Sequence, residues 1–183
     1  MIIYGKEITD KIDDDELLKD IFETGVNELK FWKGALKTDN KLSDRIFQFI
    51  FSDDHRLAWR SCWIIDTASE DFPELLTGKL PGIITALLTT NDTSLKRHFT
   101  RILCRCEIPE DFQGLVVARC FELMTPVEPA AVRVNSMQLL FNIAQQFPDL
   151  QGELIIVIEN LLEEGGSAGF MNRSEKLLRK LRT

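Results

Sequence analysis

The sequence has few histidines and cysteines and holds no long apolar run. Its 183 residues include two His and four Cys. The densest apolar run, at 154–158, is far shorter than the roughly 20 residues needed to cross a bilayer, so no membrane segment is expected. The first residues lack a cationic segment followed by an apolar core, so a secretory signal is not expected either.

The histidines and cysteines give no metal or catalytic signature. Cys104 and Cys106 lie two positions apart in a predicted helix, so their side chains diverge and cannot easily share a metal. His55 and His98 have no nucleophile and acid at a recognisable spacing. We therefore expect no cofactor and no catalysis. The cysteines are predicted to be reduced, small apolar residues of a cytoplasmic protein.

The sequence also has fewer basic residues than acidic ones. The chain has 22 Lys and Arg against 29 Asp and Glu, a formal net charge of −7. A general attraction to nucleic acid or to an anionic membrane is therefore not expected. The hydrophobic content of 44% with 28% charged residues is typical of a folded globular protein. The length suits one well-cored domain or one short repeat array.

The sequence does contain a repeat of about 37 residues. The segments 57–75, 95–112 and 132–150 align, with spacings of 38 and 37 residues between corresponding apolar positions. Prolines and glycines recur with the same period, at Pro73, Pro109 and Pro148 and at Gly78, Gly114 and Gly152. Each unit is predicted to be a long helix, a turn with proline and a shorter helix. Such hairpins bury their apolar faces only when they stack.

The pattern also predicts the individual elements. The prolines are expected to end long helices near residues 69, 106 and 147. The glycines are expected to precede short helices over 80–88, 115–124 and 154–162. Ser52 or Asp53 is a predicted cap, as are Asn91-Asp92 and Ser167, and a last helix is expected to end near residue 181. Before the repeats, one helix is expected to begin at 13–16 and extend past Gly25, followed by a second over 42–51.

The proline turn and the first-helix pattern resemble HEAT repeats over residues 54–182. The apolar positions that carry this resemblance in the first unit are Leu57, Ile64, Ile65 and Ala68. It implies an all-α fold, a short right-handed α–α solenoid of HEAT-like hairpins with a divergent N-terminal helix pair. We expect a single domain over 1–183, with 1–53 as the N-terminal cap and 54–183 as regular repeats. The resemblance also implies binding along a curved face.

A candidate binding surface follows from a helical wheel, and we call it the predicted strip. Trp59, Trp63 and Asp66 point away from the core side of their helix, and equivalent or flanking positions of later helices extend the row. The strip comprises Trp59, Arg60, Trp63, Asp66, Arg97, His98, Arg101, Asn135, Gln138, Arg173 and Lys176. Arginine can donate two hydrogen bonds to one carboxylate or phosphate, and a tryptophan ring can stack against a cationic group. The competing interpretation, which we favour, is that these side chains serve packing and solvation.

Three functions remain open at this level. The first is a non-catalytic scaffold that binds a protein or peptide partner through the strip or through the groove of the short helices. The second is a nucleic-acid-binding protein related to HEAT-like DNA alkylation-repair glycosylases, which use aromatic side chains and an Asp on helices; Trp59, Trp63 and Asp66 are loosely similar. The net negative charge disfavours it. The third is self-association through the apolar side at 134–141.

Overall fold

The computed structural model describes residues 14–182, which form ten α-helices and a short 3-10 helix, Pro73–Leu76, with no strand among them. The α-helices are α1 (Asp14–Glu23), α2 (Leu29–Thr38), α3 (Asn40–Phe49), α4 (His55–Ser69), α5 (Leu80–Thr89), α6 (Thr93–Leu103), α7 (Glu110–Glu122), α8 (Ala130–Ala144), α9 (Pro148–Glu164) and α10 (Ala168–Leu181). The predicted all-α fold is confirmed. Predictions for residues 1–13 lie outside the described residues.

The chain forms two compact units, and the boundary falls at the start of α5. Unit 1 ends at Leu80 and unit 2 begins at Pro81. In unit 1, helix α4 packs against α1, α2, α3 and the 3-10 helix. Nine of the fifteen residues of α4 are buried, which is more than one amphipathic stripe supplies. Helix α4 is therefore the centre of this unit rather than a surface helix.

The first expected helix is two helices, α1 and α2, so three helices precede α4. The chain turns at Gly25, whose N–H donates to the carboxylate of Glu28 at 2.8 Å. The Thr24 hydroxyl donates to the carbonyl of Asp20 at 2.8 Å and closes the end of α1. These side-chain bonds take the place of the backbone bonds that would continue α1. The helix therefore ends here, although the apolar pattern in the sequence continues beyond it.

In unit 2, helices α6, α8 and α10 form what we call the first-helix layer. Helix α8 packs against both α6 and α10. Helices α7 and α9, the second-helix layer, pack against α8, and α9 also packs against α10. Because α8 has neighbours in both layers, eight of its fifteen residues are buried. Within the apolar side at 134–141, Met137 is fully buried and therefore packs inside this unit.

The recurring prolines begin the second helices instead of only ending the first ones. Pro109 is the N-cap residue of α7, and Pro148 is the first residue of α9. Proline fits this place because its fixed φ suits a first helical turn, where an N–H has no partner in the helix. Gly114 and Gly152, predicted to precede short helices, therefore lie inside α7 and α9. The second helices are longer than expected, and α9 is the longest with 17 residues.

Side-chain caps fix the starts of four helices. In each, an oxygen of the cap residue accepts from the backbone N–H three positions later, and the caps are Asp39, Asp54, Asp92 and Ser167. The predicted caps at Asp92 and Ser167 are confirmed. The predicted cap at Ser52 or Asp53 is wrong, because Asp54 accepts from Leu57 at 3.0 Å. Ser52 instead accepts from the backbone N–H of Asp54.

Candidate functional site

The aromatic part of the predicted strip lies in unit 1. The rings of Trp59 and Trp63 are 6.2 Å apart at an angle of 31°, one helical turn apart on α4. Both indoles are half-buried. The guanidinium of Arg60 lies 4.8 Å from the ring of Trp59. Part of each indole is therefore accessible to a ligand, while Arg60 already occupies one side of the pair.

Arg60 also belongs to a polar junction at the end of α1. It donates to the backbone carbonyl of Thr24. The hydroxyl of Thr24 accepts from the indole N–H of Trp32 at 2.7 Å. Trp32 is buried. Arg60 thus fastens α4 to the end of α1, a structural task that the sequence pattern did not indicate.

Asp66 is fully buried, although the helical wheel had turned it away from the core. The wheel assumed a single covered side, whereas α4 is covered on several sides by α1, α2 and α3. A carboxylate without solvent access cannot reach a ligand at the surface. In this structure the two indoles are partly accessible to a ligand, and Asp66 is not.

In unit 2, several strip residues join neighbouring helices of the first-helix layer. The amide of Asn135 on α8 donates to the carbonyl of Arg97 on α6 at 3.2 Å. The amide of Asn142 donates in the same way to the carbonyl of Cys104 at 2.8 Å. Both bonds join residues 38 positions apart, which is one repeat. The two asparagine amides of α8 make the same kind of bond because neighbouring repeats stack with a constant register.

The same row continues from α8 to α10. Arg173 donates to the side-chain oxygen of Gln138 at 2.5 Å, and Gln138 donates to Asn142 at 2.7 Å. These bonds and the two from the asparagines form a polar ladder across α6, α8 and α10. His98, another residue of the predicted strip, is buried. Asn135, Gln138 and Arg173 therefore hold the layer together, and each is half-buried.

Charge is sharply divided between the two layers of unit 2. The first-helix layer has one acidic residue, Glu175, and eight basic residues: Lys96, Arg97, Arg101, Arg133, Arg173, Lys176, Arg179 and Lys180. The second-helix layer has one basic residue, Arg119, and eight acidic residues: Glu110, Asp111, Glu122, Asp149, Glu153, Glu159, Glu163 and Glu164. The sequence already carried this signal, but it is visible only when charges are counted by helix.

Two of the basic residues are internal. Lys96 is buried and paired with Glu128, and the buried Arg133 lies 4.1 Å from the ring of Phe170. The other six are at least partly exposed, and we call the surface that they form with α8 the basic face. Its middle is uncharged, with the half-exposed side chains of Val134 and Phe141 on α8. Arg97 on α6 and Lys176 on α10 are exposed on either side.

A cavity opens where two interhelix turns of unit 2 approach each other, and we call it the turn cavity. Its volume is about 530 Å³. It is lined by Glu107, Ile108, Pro109, Glu110, Gln113, Gln146 and Phe147. The first five belong to the turn before α7 and its start, and the last two to the turn before α9. Phe147 is 43% exposed.

A family model described as a HEAT repeat domain matches residues 14–181. The chain belongs to the HEAT repeat domain family. The match includes α1, α2 and α3, which the resemblance seen in the sequence did not cover. Searches of curated proteins and of solved structures found no match for this HEAT repeat chain.

Two thiols of this HEAT repeat protein, those of Cys106 and Cys120, are poorly suited to nucleophilic chemistry. Burial raises the pKa of the Cys120 thiol far above its usual range. Partial burial also raises the pKa of Cys106, and the nearby Arg105 opposes that rise. Both therefore stay protonated near neutral pH, and the thiolate is the reactive form. Within 14–182, His, Cys, Asp and Glu side chains nowhere gather in a group of three or more that would hold a metal ion.

The predicted strip is thus divided among different environments in the HEAT repeat protein. Asp66 and His98 are buried, while Arg60, Asn135, Gln138 and Arg173 make bonds between helices. Arg97 and Lys176 are exposed, and Arg101, Trp59 and Trp63 are half-exposed.

Among the described helices, none has both the length and the apolar character required to cross a bilayer.

Proposed function

We propose that this HEAT repeat protein is a non-catalytic scaffold that binds an acidic segment of a partner protein on the basic face of unit 2. The observation that carries the proposal is the division of charge between the two helix layers. Arginine and lysine at the surface pair with carboxylates of a partner and speed its approach. The net charge of −7 does not oppose this, because the acids of unit 2 are concentrated in the other layer.

The uncharged middle of the basic face favours a protein segment over nucleic acid. Protein interfaces combine an apolar centre with a polar rim, and Val134 and Phe141 lie between the cations of α6 and α10. The ammonium of Lys180 lies 5.7 Å from the ring of Phe141, so the ring remains near positive charge. We infer an occupant that has both carboxylates and apolar side chains.

Two further parts of the proposal concern the whole chain. We propose one repeat domain over 1–183, with 1–53 as its N-terminal cap, and the family match across 14–181 supports this organisation. We also propose a reducing, cytoplasmic location. None of the four cysteines, all within the described residues, is in a disulfide, which supports this location because disulfides are rare in the cytosol.

The test is fluorescence anisotropy with a labelled peptide rich in Glu and Leu. Its reference peptide has every Glu replaced by Gln. We expect the protein to bind the Glu peptide, and the double variant Arg97→Glu, Lys176→Glu to weaken that binding roughly tenfold or more. The matched control is Lys19→Glu, Lys30→Glu, which changes net charge equally at exposed positions in unit 1. It should bind almost as well as the wild type.

Three results would overturn the proposal. The Gln peptide would bind as tightly as the Glu peptide, or the control variant would lose as much affinity as the test variant. Single-stranded DNA of the same charge would bind more tightly than the peptide, which would support the nucleic-acid function instead. Self-association through 134–141 is tested separately by a concentration-dependent mass in analytical ultracentrifugation.

A further inference from the structure

We infer that the turn cavity of unit 2 binds an arginine side chain of a partner peptide. This site is separate from the basic face and does not depend on the function proposed for it. It combines three features that a guanidinium requires: acidic groups, an accessible aromatic ring and a volume that admits a side chain with its neighbouring backbone. The volume of about 530 Å³ is in the range of ligand pockets, roughly 300–1,000 Å³.

The lining is chemically one-sided. Glu107 and Glu110 contribute two carboxylates, and no residue that lines the cavity is basic. An arginine places five N–H donors in a planar fork, which two carboxylates and the amide oxygen of Gln113 or Gln146 can accept. The same plane can stack on the ring of Phe147. An acidic ligand would meet repulsion from both carboxylates.

The walls of the turn cavity are fixed without a ligand. The amide of Gln113 donates to the carbonyl of Ile108 at 3.1 Å, which holds the first turn against the start of α7. On the other side, Gln151 donates to the carbonyl of Ala144 at 2.8 Å, and the N–H of Phe147 donates to the same carbonyl at 3.0 Å. A preformed site binds with less loss of conformational entropy than one that must become ordered.

Phe147 is the feature that internal packing does not explain. It is the N-cap residue of α9, a position at which Ser, Thr, Asp or Asn is preferred, and it makes no side-chain cap bond. The residue lines the cavity and is 43% exposed. An exposed aromatic side chain at the edge of a concave site is a common mark of binding.

The experiment compares two peptides by ¹H–¹⁵N correlation spectra of the full chain. One is acetyl-Gly-Arg-Gly-amide, and the other has citrulline in place of Arg, which keeps the shape but removes the charge. We expect the Arg peptide to shift the amide signals of residues 107, 108, 110–113 and 146–147. The citrulline peptide should bind at least roughly tenfold more weakly, because it loses both the ion pairs and the cation–π contact.

Two variants and one control assign the effect to the cavity. Phe147→Leu keeps an apolar side chain but removes the ring, and Glu107→Gln, Glu110→Gln removes the charge; each should reduce binding roughly tenfold. Glu163→Gln, Glu164→Gln changes charge equally at exposed positions that do not line the cavity, and it should bind normally. The spectra also confirm that each variant is folded. Equal binding of citrulline, or shifts confined to other residues, would overturn the inference.

Discussion

The same residue type serves different purposes along the predicted strip, and the neighbouring helices decide which. Arg60 bonds the end of α1 and Arg173 bonds Gln138, whereas Arg97 extends into solvent. A charged side chain in a repeat position is therefore not evidence of a ligand until its packing is known. Arg97 and Lys176 are the two strip residues that are exposed, and the proposed test therefore changes them.

At the residue scale, Thr24→Val tests the polar junction at the end of α1, to which Arg60 also bonds. Valine keeps the shape but removes the hydroxyl that accepts from the buried indole of Trp32 at 2.7 Å. We expect the free energy of unfolding to fall by about 1–3 kcal/mol, since the indole N–H is left without a partner. Urea unfolding followed by tryptophan fluorescence measures it, because all three tryptophans lie in unit 1.

The control for this substitution is Thr38→Val. The hydroxyl of Thr38 is exposed and bonds only to carbonyls of its own helix, at 3.2 Å to Gly34 and to Ala35. Its loss should change stability by no more than about 0.5 kcal/mol. Equal effects of the two substitutions would show that the Trp32 bond does not stabilise unit 1.

At the element scale, the polar ladder joins the first helices of successive repeats, and Asn142→Ala tests it. The side chain donates to the carbonyl of Cys104 and accepts from Gln138, so truncation leaves two polar groups without a protein partner. Because Asn142 is half-buried, water replaces part of the loss. We expect the protein to lose about 1–2 kcal/mol, measured by urea unfolding with far-ultraviolet circular dichroism.

The control is Gln145→Ala at the C-cap of the same helix. Gln145 is exposed, and its amide donates to the carbonyl of Phe141 in α8. Both substitutions replace an amide side chain with alanine, but only Asn142 bonds to the carbonyl of Cys104 at the end of α6. If Gln145→Ala destabilised the protein as much as Asn142→Ala, the ladder would have no role in holding the layer.

Some features of these helices could be predicted from the sequence alone, and others could not. The register of the repeats was predictable, because buried positions such as Ile64, Ile102 and Leu139 recur with the helix stacking. The starts of α7 and α9 were not, because a proline is compatible with ending one helix or beginning the next. The burial of Asp66 was not predictable either, since it depends on α1–α3 covering a second side of α4. The turn cavity depends on two turns 38 residues apart and has no local signal.

At the scale of the whole molecule, the net charge and the local charge favour different partners. The net charge of −7 repels a polyanion at long range, while the basic face attracts carboxylates at short range. At about 0.15 M salt the screening length is roughly 8 Å, so a bound peptide senses mainly the layer that it touches. A long nucleic acid carries more negative charge than a short peptide, so the net charge of −7 weakens its binding more.

The last prediction uses this difference. Raising NaCl from about 0.05 to about 0.3 M should weaken binding of the Glu and Leu peptide, but not abolish it, because the apolar contacts at Val134 and Phe141 are not screened. Duplex DNA with an alkylated base should bind no more tightly than roughly 1 µM near physiological salt, which is the tight limit of non-specific binding. Clearly submicromolar binding of that DNA, or release of its damaged base by the wild type but not by Asp66→Asn, would contradict this. Base release that depends on Asp66 would require this residue to leave its buried position, and the repair function would then replace the scaffold.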